Sequence, residues 1–215
     1  MEDNEKKGII VFTKYSPYSA ADTRIENYKG EEYKTLRVVS LCRCGHSKNK
    51  PFCDGTHSRI EFDNERKEEK KHGPKAYKGA KITVFYDRYL CKHIGKCTHG
   101  LPEVFDAKRT PWIIPDQTQD VEKLIEVIRK CPSGALSYSI EDGKRETEYS
   151  NVQKIRIEKN GSINISGGIK LIDDNDSESI LDSKEHYSLC RCGASKHKPF
   201  CDGTHYEIEF NGEEQ

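Results

Sequence analysis

The chain has 215 residues, of which 33% are apolar and 33% are charged. Lysine plus arginine and aspartate plus glutamate both number 36, so the net charge is near zero. This balance provides no electrostatic basis for binding nucleic acid or an anionic membrane surface, and we expect neither as a partner. The apolar runs are also too short for a membrane span of roughly 20 residues, or for an export signal behind the charged residues 1–7.

Nine cysteines occur in a chain whose apolar core must be small. An odd number of cysteines cannot all pair as disulfides within one chain, and small cores are commonly supported by metal sites. Because no export signal is recognised, this composition predicts metal-bound thiolates in a reducing, cytoplasmic compartment.

Short strands are predicted along much of the chain. In chain order they are expected at residues 8–13, 36–41, 81–89, 155–158, 162–165 and 169–172. A polar stretch, residues 63–79, includes Gly73-Pro74 and is expected to be a linker. The Asn160-Gly161 pair predicts a tight hairpin turn between two of the later strands.

One helix is predicted, at residues 120–130. Its apolar residues recur at i, i+3, i+4 and i+7, which places them on one face. Asp120 or Thr118 is expected to cap its first turn. Cys131-Pro132 is expected to end it, because proline cannot continue the hydrogen-bond ladder.

An internal repeat organises the chain. Residues 40–62 align without gaps to residues 188–210, and 19 of the 23 positions are identical. Self-similarity of this density indicates that one site has been duplicated.

Each copy carries three cysteines and one histidine in the pattern C-x-C-x8-C-x3-H. The first copy contributes Cys42, Cys44, Cys53 and His57, and the second contributes Cys190, Cys192, Cys201 and His205. The last cysteine and the histidine are four residues apart, which would place them on one face of a short helix. Three thiolates and an imidazole can hold a structural zinc ion or a [2Fe–2S] cluster, so donor chemistry alone leaves both possibilities open.

A second set of three cysteines lies between the two copies: Cys91, Cys97 and Cys131. Their spacing follows a bacterial ferredoxin pattern, except that Ile94 occupies the position of the second cysteine. Three cysteines match a [3Fe–4S] cluster, which we favour. A [4Fe–4S] cluster would need a fourth ligand from His93, His99 or an oxygen atom. The alternative without metal is three reduced, buried cysteines.

The string C-x-C-x2-S-x3-P-x-C-D-G-T-H, present in both copies, resembles the CDGSH (mitoNEET-like) iron–sulfur family, with threonine where the family name has serine. The resemblance implies a [2Fe–2S] cluster in each copy. One iron would be held by the C-x-C pair, and the more exposed iron by the last cysteine and the histidine. Because a free imidazole titrates near pH 6.5, we expect such clusters to be acid-labile. Neighbouring candidates for tuning them, or for ordinary surface roles, are Ser47, Lys50, Ser195 and Lys198.

The middle segment, about residues 81–139, resembles divergent single-cluster ferredoxins that accompany CDGSH motifs. Together the resemblances imply an α+β fold: a β-rich cradle formed by two CDGSH repeats related by a pseudo-two-fold, with an inserted small α+β ferredoxin-like domain. The expected boundaries are 1–62 and 143–215 for the repeats with their strands, 63–79 for the linker and 80–142 for the inserted domain.

The expected function is electron transfer, and the alternative is storage or transfer of iron–sulfur clusters. Nothing in the chain resembles a catalytic acid–base group, a phosphate loop or a nicotinamide fingerprint, so we expect no enzyme activity. The expected partner is a redox protein or an apo-acceptor protein. We expect a monomer with an internal pseudo-two-fold.

Overall fold

The computed structural model describes residues 8–141, 143–174, 177–181 and 183–213. Within these ranges, no helix is both long and apolar enough to cross a membrane. Residues 1–7, on which the export expectation partly depends, lie outside the described part of the chain, as does the expected domain boundary at residue 142.

Short strands dominate the secondary structure, which confirms the β-rich α+β class. The strands are β1 (Ile9–Val11), β2 (Tyr18–Ala21), β3 (Ile25–Glu26), β4 (Val38–Leu41), β5 (Lys75–Lys78), β6 (Ile82–Tyr86), β7 (Leu136–Ile140), β8 (Lys154–Ile157), β9 (Ile163–Ser166), β10 (Lys170–Ile172) and β11 (Tyr187–Leu189). The helices are α1 (Thr56–Arg59), α2 (Lys96–Gly100), α3 (Val121–Arg129) and α4 (Thr204–Glu207), with 3-10 turns at Pro115–Gln117 and Ser177–Ile180.

Two four-stranded sheets exchange one strand with each other. In the first sheet, β1, β2 and β4 form an antiparallel meander, and β10 joins in parallel beside β1. In the second sheet, β8, β9 and β11 form the same meander, and β3 joins in parallel beside β8. Each half of the chain therefore gives its third strand to the sheet of the other half.

The main apolar core lies where these sheets meet. Ile10, Leu41, Ile155 and Leu189 are completely buried there. The alternation of buried and less buried residues along β8 follows the pleat, with Ile155 and Ile157 pointing inward. Burying one such side chain contributes about 1.5–3 kcal/mol, which compensates for the shortness of the strands.

The middle segment has its own antiparallel sheet, in the order β5-β6-β7, and its own core. Helix α3 packs against β7 and contributes buried Leu124, Val127 and Ile128. The predicted helix is confirmed, and Asp120 is its cap: the carboxylate accepts a hydrogen bond of 2.9 Å from the Lys123 N–H.

The predicted strands are confirmed, but most are shorter than predicted. Strands β2, β3, β5, β7 and β11 were not predicted. Strand β5 is a correction to the predicted linker, since it lies inside residues 63–79 and pairs with β6. Its Lys-Ala-Tyr-Lys sequence carries little strand propensity, and pairing with an adjacent strand outweighs that deficit.

Candidate metal centres

The first motif copy brings its four predicted donors together as two pairs. The sulfurs of Cys42 and Cys44 are 3.8 Å apart, and Cys53 Sγ is 3.3 Å from His57 Nδ1. The two pairs are connected by backbone: the N–H of Cys42 donates to Pro51 and that of Cys53 to Ser40, each at 2.8 Å.

The second copy repeats this geometry. Cys190 and Cys192 have sulfurs 3.8 Å apart, and Cys201 Sγ is 3.3 Å from His205 Nδ1. The equivalent backbone bond runs from the Cys190 N–H to the Pro199 carbonyl, again at 2.8 Å. Equal distances in both copies indicate that the shared sequence determines the donor geometry locally.

A turn before each short helix aims the outer donors. Helix α1 begins at Thr56, after Gly55 in the left-handed region at φ +82°, and Asp54 accepts the Thr56 N–H at 3.0 Å. Cys53 therefore precedes the helix, which corrects the prediction that Cys53 and His57 share a helical face. The turn, rather than helical spacing, places these two donors side by side.

The paired arrangement fits a two-metal cluster. Two sulfurs bound to one tetrahedral metal at about 2.3 Å lie roughly 3.8 Å apart, as Cys42 and Cys44 do. A structural zinc ion needs four donors around one point, whereas a two-iron core takes one pair per iron. Across the described ranges, no three Cys, His, Asp or Glu side chains surround a single-ion position.

One thiol of each inner pair ionises readily. The hydrogen bond with Cys44 lowers the pKa of Cys42 from 9.0 to about 6, although burial opposes this shift. In the second copy, the hydrogen bond with Cys192 lowers the pKa of Cys190 to about 7. The thiolate is the form that binds metal, so the hydrogen bond within each pair favours ionisation of one of its two ligands.

The arginine between the inner cysteines is a residue whose role the motif alone did not reveal. Arg43 and Arg191 are both buried. The Arg43 guanidinium donates to the Thr13 and Ser16 carbonyls at 3.2 and 3.1 Å. Arg191 likewise donates to backbone carbonyls, including that of Gly161 at 2.9 Å. The sequence signal for this role was an arginine between two predicted metal ligands, because a charged group near a buried site must find hydrogen-bond partners.

Four candidate neighbours of the clusters are buried: Ser47, Lys50, Ser195 and Lys198. Their possible surface role is therefore wrong. The Ser47 hydroxyl donates to the Phe52 carbonyl at 2.6 Å, and Ser195 makes the same bond to Phe200. The serines thus brace the loop that joins the inner and outer donors.

The middle cysteines line one pocket. Cys91, Cys97 and Cys131 face it together with Ile94 and Tyr86. Cys97 lies at the start of α2, and Cys131 lies two residues after the end of α3. The close packing of these two helices brings both thiols to the pocket. Burial, followed by the charges of the other two cysteines, raises the pKa of Cys97 to about 11, so ligation is needed to ionise it.

The two histidines considered as a fourth ligand differ in position. His99 Nδ1 is 2.8 Å from the Gly95 carbonyl oxygen. His93 lines the pocket, with its Nδ1 3.8 Å from Cys91 Sγ. His93 is therefore the better placed of the two.

A further histidine, outside the predicted ligands, has a carboxylate neighbour. His186 is buried, and its Nδ1 is 2.9 Å from a Glu185 carboxylate oxygen. Burial raises the pKa of Glu185, but the hydrogen bonds to His186 and to backbone N–H groups outweigh it and lower the pKa below its usual value. Glu185 and His186 line a second pocket together with Cys131 and Tyr149.

The middle segment packs against the second motif copy. The Tyr89 ring stacks on His197 at 4.1 Å, and His197 Nδ1 is 2.8 Å from the Tyr89 carbonyl oxygen. The Ser188 hydroxyl donates to the Pro132 carbonyl at 3.1 Å. Both cysteine-bearing loops of the middle segment therefore reach the second copy.

This packing makes the two copies unequal in exposure. Cys201 and His205 are only 3% and 4% exposed, whereas Cys53 and His57 are half-buried. Burial, followed by the charge of Lys92, lowers the pKa of His205 to about 4. The donor geometry is therefore shared, and the environment is not.

Paired thiolate and imidazole donors in two copies, with a three-thiol pocket between them, define an iron–sulfur protein. The family model described as "Iron-binding zinc finger CDGSH type" matches residues 16–58 and 160–206. The model described as "Divergent 4Fe-4S mono-cluster" matches residues 77–141. The chain belongs to the CDGSH family and carries a divergent mono-cluster domain between its two CDGSH regions.

Relatives are similar to part of the chain. The uncharacterized protein YjdI of Escherichia coli (strain K12) is 46% identical over 66 residues, which cover 31% of this chain and 86% of YjdI. YjdI of Escherichia coli O157:H7 has the same identity and coverage. No solved structure matches the chain.

Proposed function

We propose that the protein transfers electrons, with a [2Fe–2S] cluster in each CDGSH copy and a third cluster held by the middle cysteines. The observation that carries the proposal is the pairing of donors at 3.8 and 3.3 Å in both copies. Cys42 and Cys44 would hold one iron, with Cys53 and His57 holding the other, and the second copy would repeat this. Each cluster supplies one-electron chemistry, with no bond made or broken in the protein.

The residues around each copy support this role because they limit the movement of the ligand loops when the cluster is reduced. The inner cysteines are buried, which excludes water from that side of the site. Arg43 and Arg191 tie the ligand loops to backbone carbonyls and hold them in place. Neutral imidazole in place of a thiolate should raise the reduction potential above that of all-cysteine clusters, in the direction seen for Rieske centres.

The middle site is proposed to hold a [3Fe–4S] or a [4Fe–4S] cluster. The three-cysteine ligand set fits a [3Fe–4S] cluster. The description of the matching family model, "Divergent 4Fe-4S mono-cluster", favours a [4Fe–4S] cluster. For a complete cluster, His93 is the proposed fourth ligand, because its ring lines the pocket. The two possibilities differ by one iron.

Two features of the architecture are part of the proposal. Exchange of β3 and β10 between matching meanders supports an approximate two-fold relation between the CDGSH repeats within one chain. The sheet of β5, β6 and β7, packed with α2 and α3, supports a ferredoxin-like insertion whose first strand, β5, lies before the expected start at residue 80. A monomer would then contain both CDGSH repeats of the two-fold arrangement.

Purification without oxygen, followed by iron and sulfide analysis and EPR, tests the proposal. We expect about seven irons per chain (two, two and three), or about eight with a complete middle cluster. Reduction should give EPR signals of [2Fe–2S] type that disappear in a Cys42→Ser, Cys190→Ser double variant. A colourless protein containing only zinc would contradict the proposal.

Cluster donation is the second candidate, favoured by the half-buried Cys53 and His57 of the first copy. The acceptor would be an apo-protein, whereas electron transfer requires a redox protein. Mixing the holo-protein with an apo-ferredoxin separates these functions, since only donation moves iron and sulfide to the acceptor. In either case we propose a cytoplasmic protein without enzyme activity of its own.

A further inference from the structure

Lys92 is a buried cation at the junction between the middle segment and the second CDGSH copy. It follows Cys91 directly and is only 3% exposed. Its Nζ donates to Ser162 Oγ at 2.8 Å and to Asn164 Oδ1 at 2.7 Å. Both acceptors are neutral. A buried ammonium held only by neutral groups is costly unless a negative charge lies nearby.

The surrounding polar network brings negative charge near Lys92. The amide of Asn164 donates to the Glu158 carboxylate at 2.6 Å, and its oxygen also accepts from Ser188. Burial lowers the pKa of Lys92, and negative charge on Cys201, Glu158 and Cys131, in that order, opposes this shift and favours the ammonium form. Two of these three groups are proposed cluster ligands, one in the second copy and one in the middle site.

Backbone packing fixes the position of the Lys92 segment. A methyl group built on Gly203 would lie 2.7 Å from the Lys92 carbonyl oxygen, so only glycine permits this approach. Gly203 lies between Cys201 and His205. The equivalent Gly55 of the first copy has no atom within 4 Å of such a methyl group. The Lys92 backbone therefore packs against Gly203 of the second copy, whereas the equivalent Gly55 of the first copy has open surroundings.

A [2Fe–2S] cluster bound by three thiolates and a neutral imidazole carries one negative charge when both irons are ferric, and two after uptake of one electron. A nearby fixed positive charge stabilises the reduced form more than the oxidised form, and low-dielectric surroundings strengthen the effect.

We propose that Lys92 is a positioning residue of the second CDGSH site, where its buried ammonium stabilises the reduced cluster and gives it a higher reduction potential than the first. The inference rests on the proposed [2Fe–2S] occupancy of both copies. The proposed role of Lys92 gives a functional reason why the middle segment packs against the second copy and leaves the first copy open.

EPR-monitored redox titration of the full chain, prepared without oxygen, tests this inference. A His57→Cys background marks the first site by its all-cysteine ligand set. In that background, Lys92→Met should lower the second-site potential enough to change the reduced-to-oxidised ratio about tenfold, which is about 59 mV for one electron. Lys92→Arg keeps the charge and should restore most of the potential.

The outcomes separate the two proposals. Unchanged second-site potential in Lys92→Met, or an equal shift at both sites, overturns the role of Lys92. If Lys92→Met loses the second cluster altogether, retention of that cluster by Lys92→Arg supports a charge effect, and loss in both variants overturns it. Wild-type protein without iron in either copy would overturn the proposed function and this inference with it.

Gly203→Ala provides a test that leaves every charge in place. The added methyl group must displace the Lys92 segment, so the second-site potential should fall in the same direction as in Lys92→Met. Gly55→Ala is the matched control, because its φ of +82° is close to the +92° of Gly203 and its surroundings are open. If each alanine shifts the potential of its own site equally, the Lys92 contact is not the cause.

Discussion

The two CDGSH copies are nearly the same in sequence and differ in their surroundings. They share 19 of 23 residues, and their donor distances are equal to within 0.1 Å. In the second copy the middle segment covers Cys201 and His205, while Cys53 and His57 of the first remain half-buried. The motif therefore determines the geometry of the donors, and tertiary packing determines how far they are exposed.

One of the four differing positions is directly linked to this asymmetry. His197 stacks on Tyr89, and its other ring nitrogen is 3.3 Å from a Glu68 carboxylate oxygen. The first copy has Asn49 at this position, and that residue is exposed. A duplicated site can thus acquire a distinct role through a change outside its ligand set.

Removing an outer ligand should have the largest effect on either copy. Cys53→Ser and Cys201→Ser are each expected to lose about two irons per chain, because a cluster with an incomplete ligand set is not retained. Cys201→Ser should also lower the unfolding temperature more, since its site supports the packing of the middle segment. Iron analysis and thermal unfolding by circular dichroism measure both effects.

Ser58→Ala, an exposed change outside the ligand set, is the control for these variants and should retain all iron. Equal losses of unfolding temperature in Cys53→Ser and Cys201→Ser would show that the second site does not support the middle segment.

The contact between the inner loops should behave alike in both copies. A methyl group on Gly45 would collide with the Cys192 carbonyl, and one on Gly193 with the Cys44 carbonyl. Both glycines also have positive φ, at +83° and +81°. We expect Gly45→Ala and Gly193→Ala each to destabilise the protein by about 3 kcal/mol, combining left-handed strain with overpacking.

Chemical denaturation of the holo-protein measures these costs. Gly55→Ala has the same backbone strain without a collision and should cost only about 1 kcal/mol. A Gly193→Ala variant as stable as Gly55→Ala would mean that the inner loops separate easily.

Mild acid should release the first cluster before the second. Burial, followed by the charge of Lys92, holds the pKa of His205 at about 4, below the usual value near 6.5. Protonation of its nitrogen therefore requires a lower pH. The unfolded chain binds more protons than the folded one between about pH 6.5 and 4, so the stability from neutral His205 is complete above that range and is lost as the pH falls through it.

The loss of visible absorbance at pH 5 follows this release. We expect two phases in the wild type, with only the faster one slowed by His57→Cys, because thiolate replaces the exposed imidazole. His205→Cys should slow the other phase. A single phase that responds equally to both variants would contradict the asymmetry.

Sequence reasoning predicted the local features of the molecule well. The structure brings the eight predicted CDGSH donors together in pairs and places the three middle cysteines around one pocket, and their role as ligands stays a prediction. The α3 helix and its Asp120 cap were predictable because periodicity and capping depend on residues only a few positions apart. These features depend little on distant parts of the chain.

Long-range features could not be predicted in this way. Strand β3 has two residues and owes its existence to pairing with β8, about 130 positions later. Lys92 lies among several lysines with nothing to distinguish it, and its burial follows from the docking of two separate segments. His186 is also buried, beside Glu185, and no local pattern in the sequence distinguishes it.

The smallest effect should come from exchanging His197 and Asn49, one of the four residue pairs that differ between the copies. His197→Asn removes the stack on Tyr89 and weakens the hydrogen bond to its carbonyl, so we expect a loss of about 1 kcal/mol in the stability of the junction. Asn49→His makes the reciprocal change at an exposed position and should cost nothing measurable. Hydrogen exchange of the Tyr89 to Cys91 backbone, compared between the two variants, resolves this difference. Faster exchange in His197→Asn alone would tie the asymmetry of the copies to this contact, and equal exchange would assign it to Lys92 and Gly203.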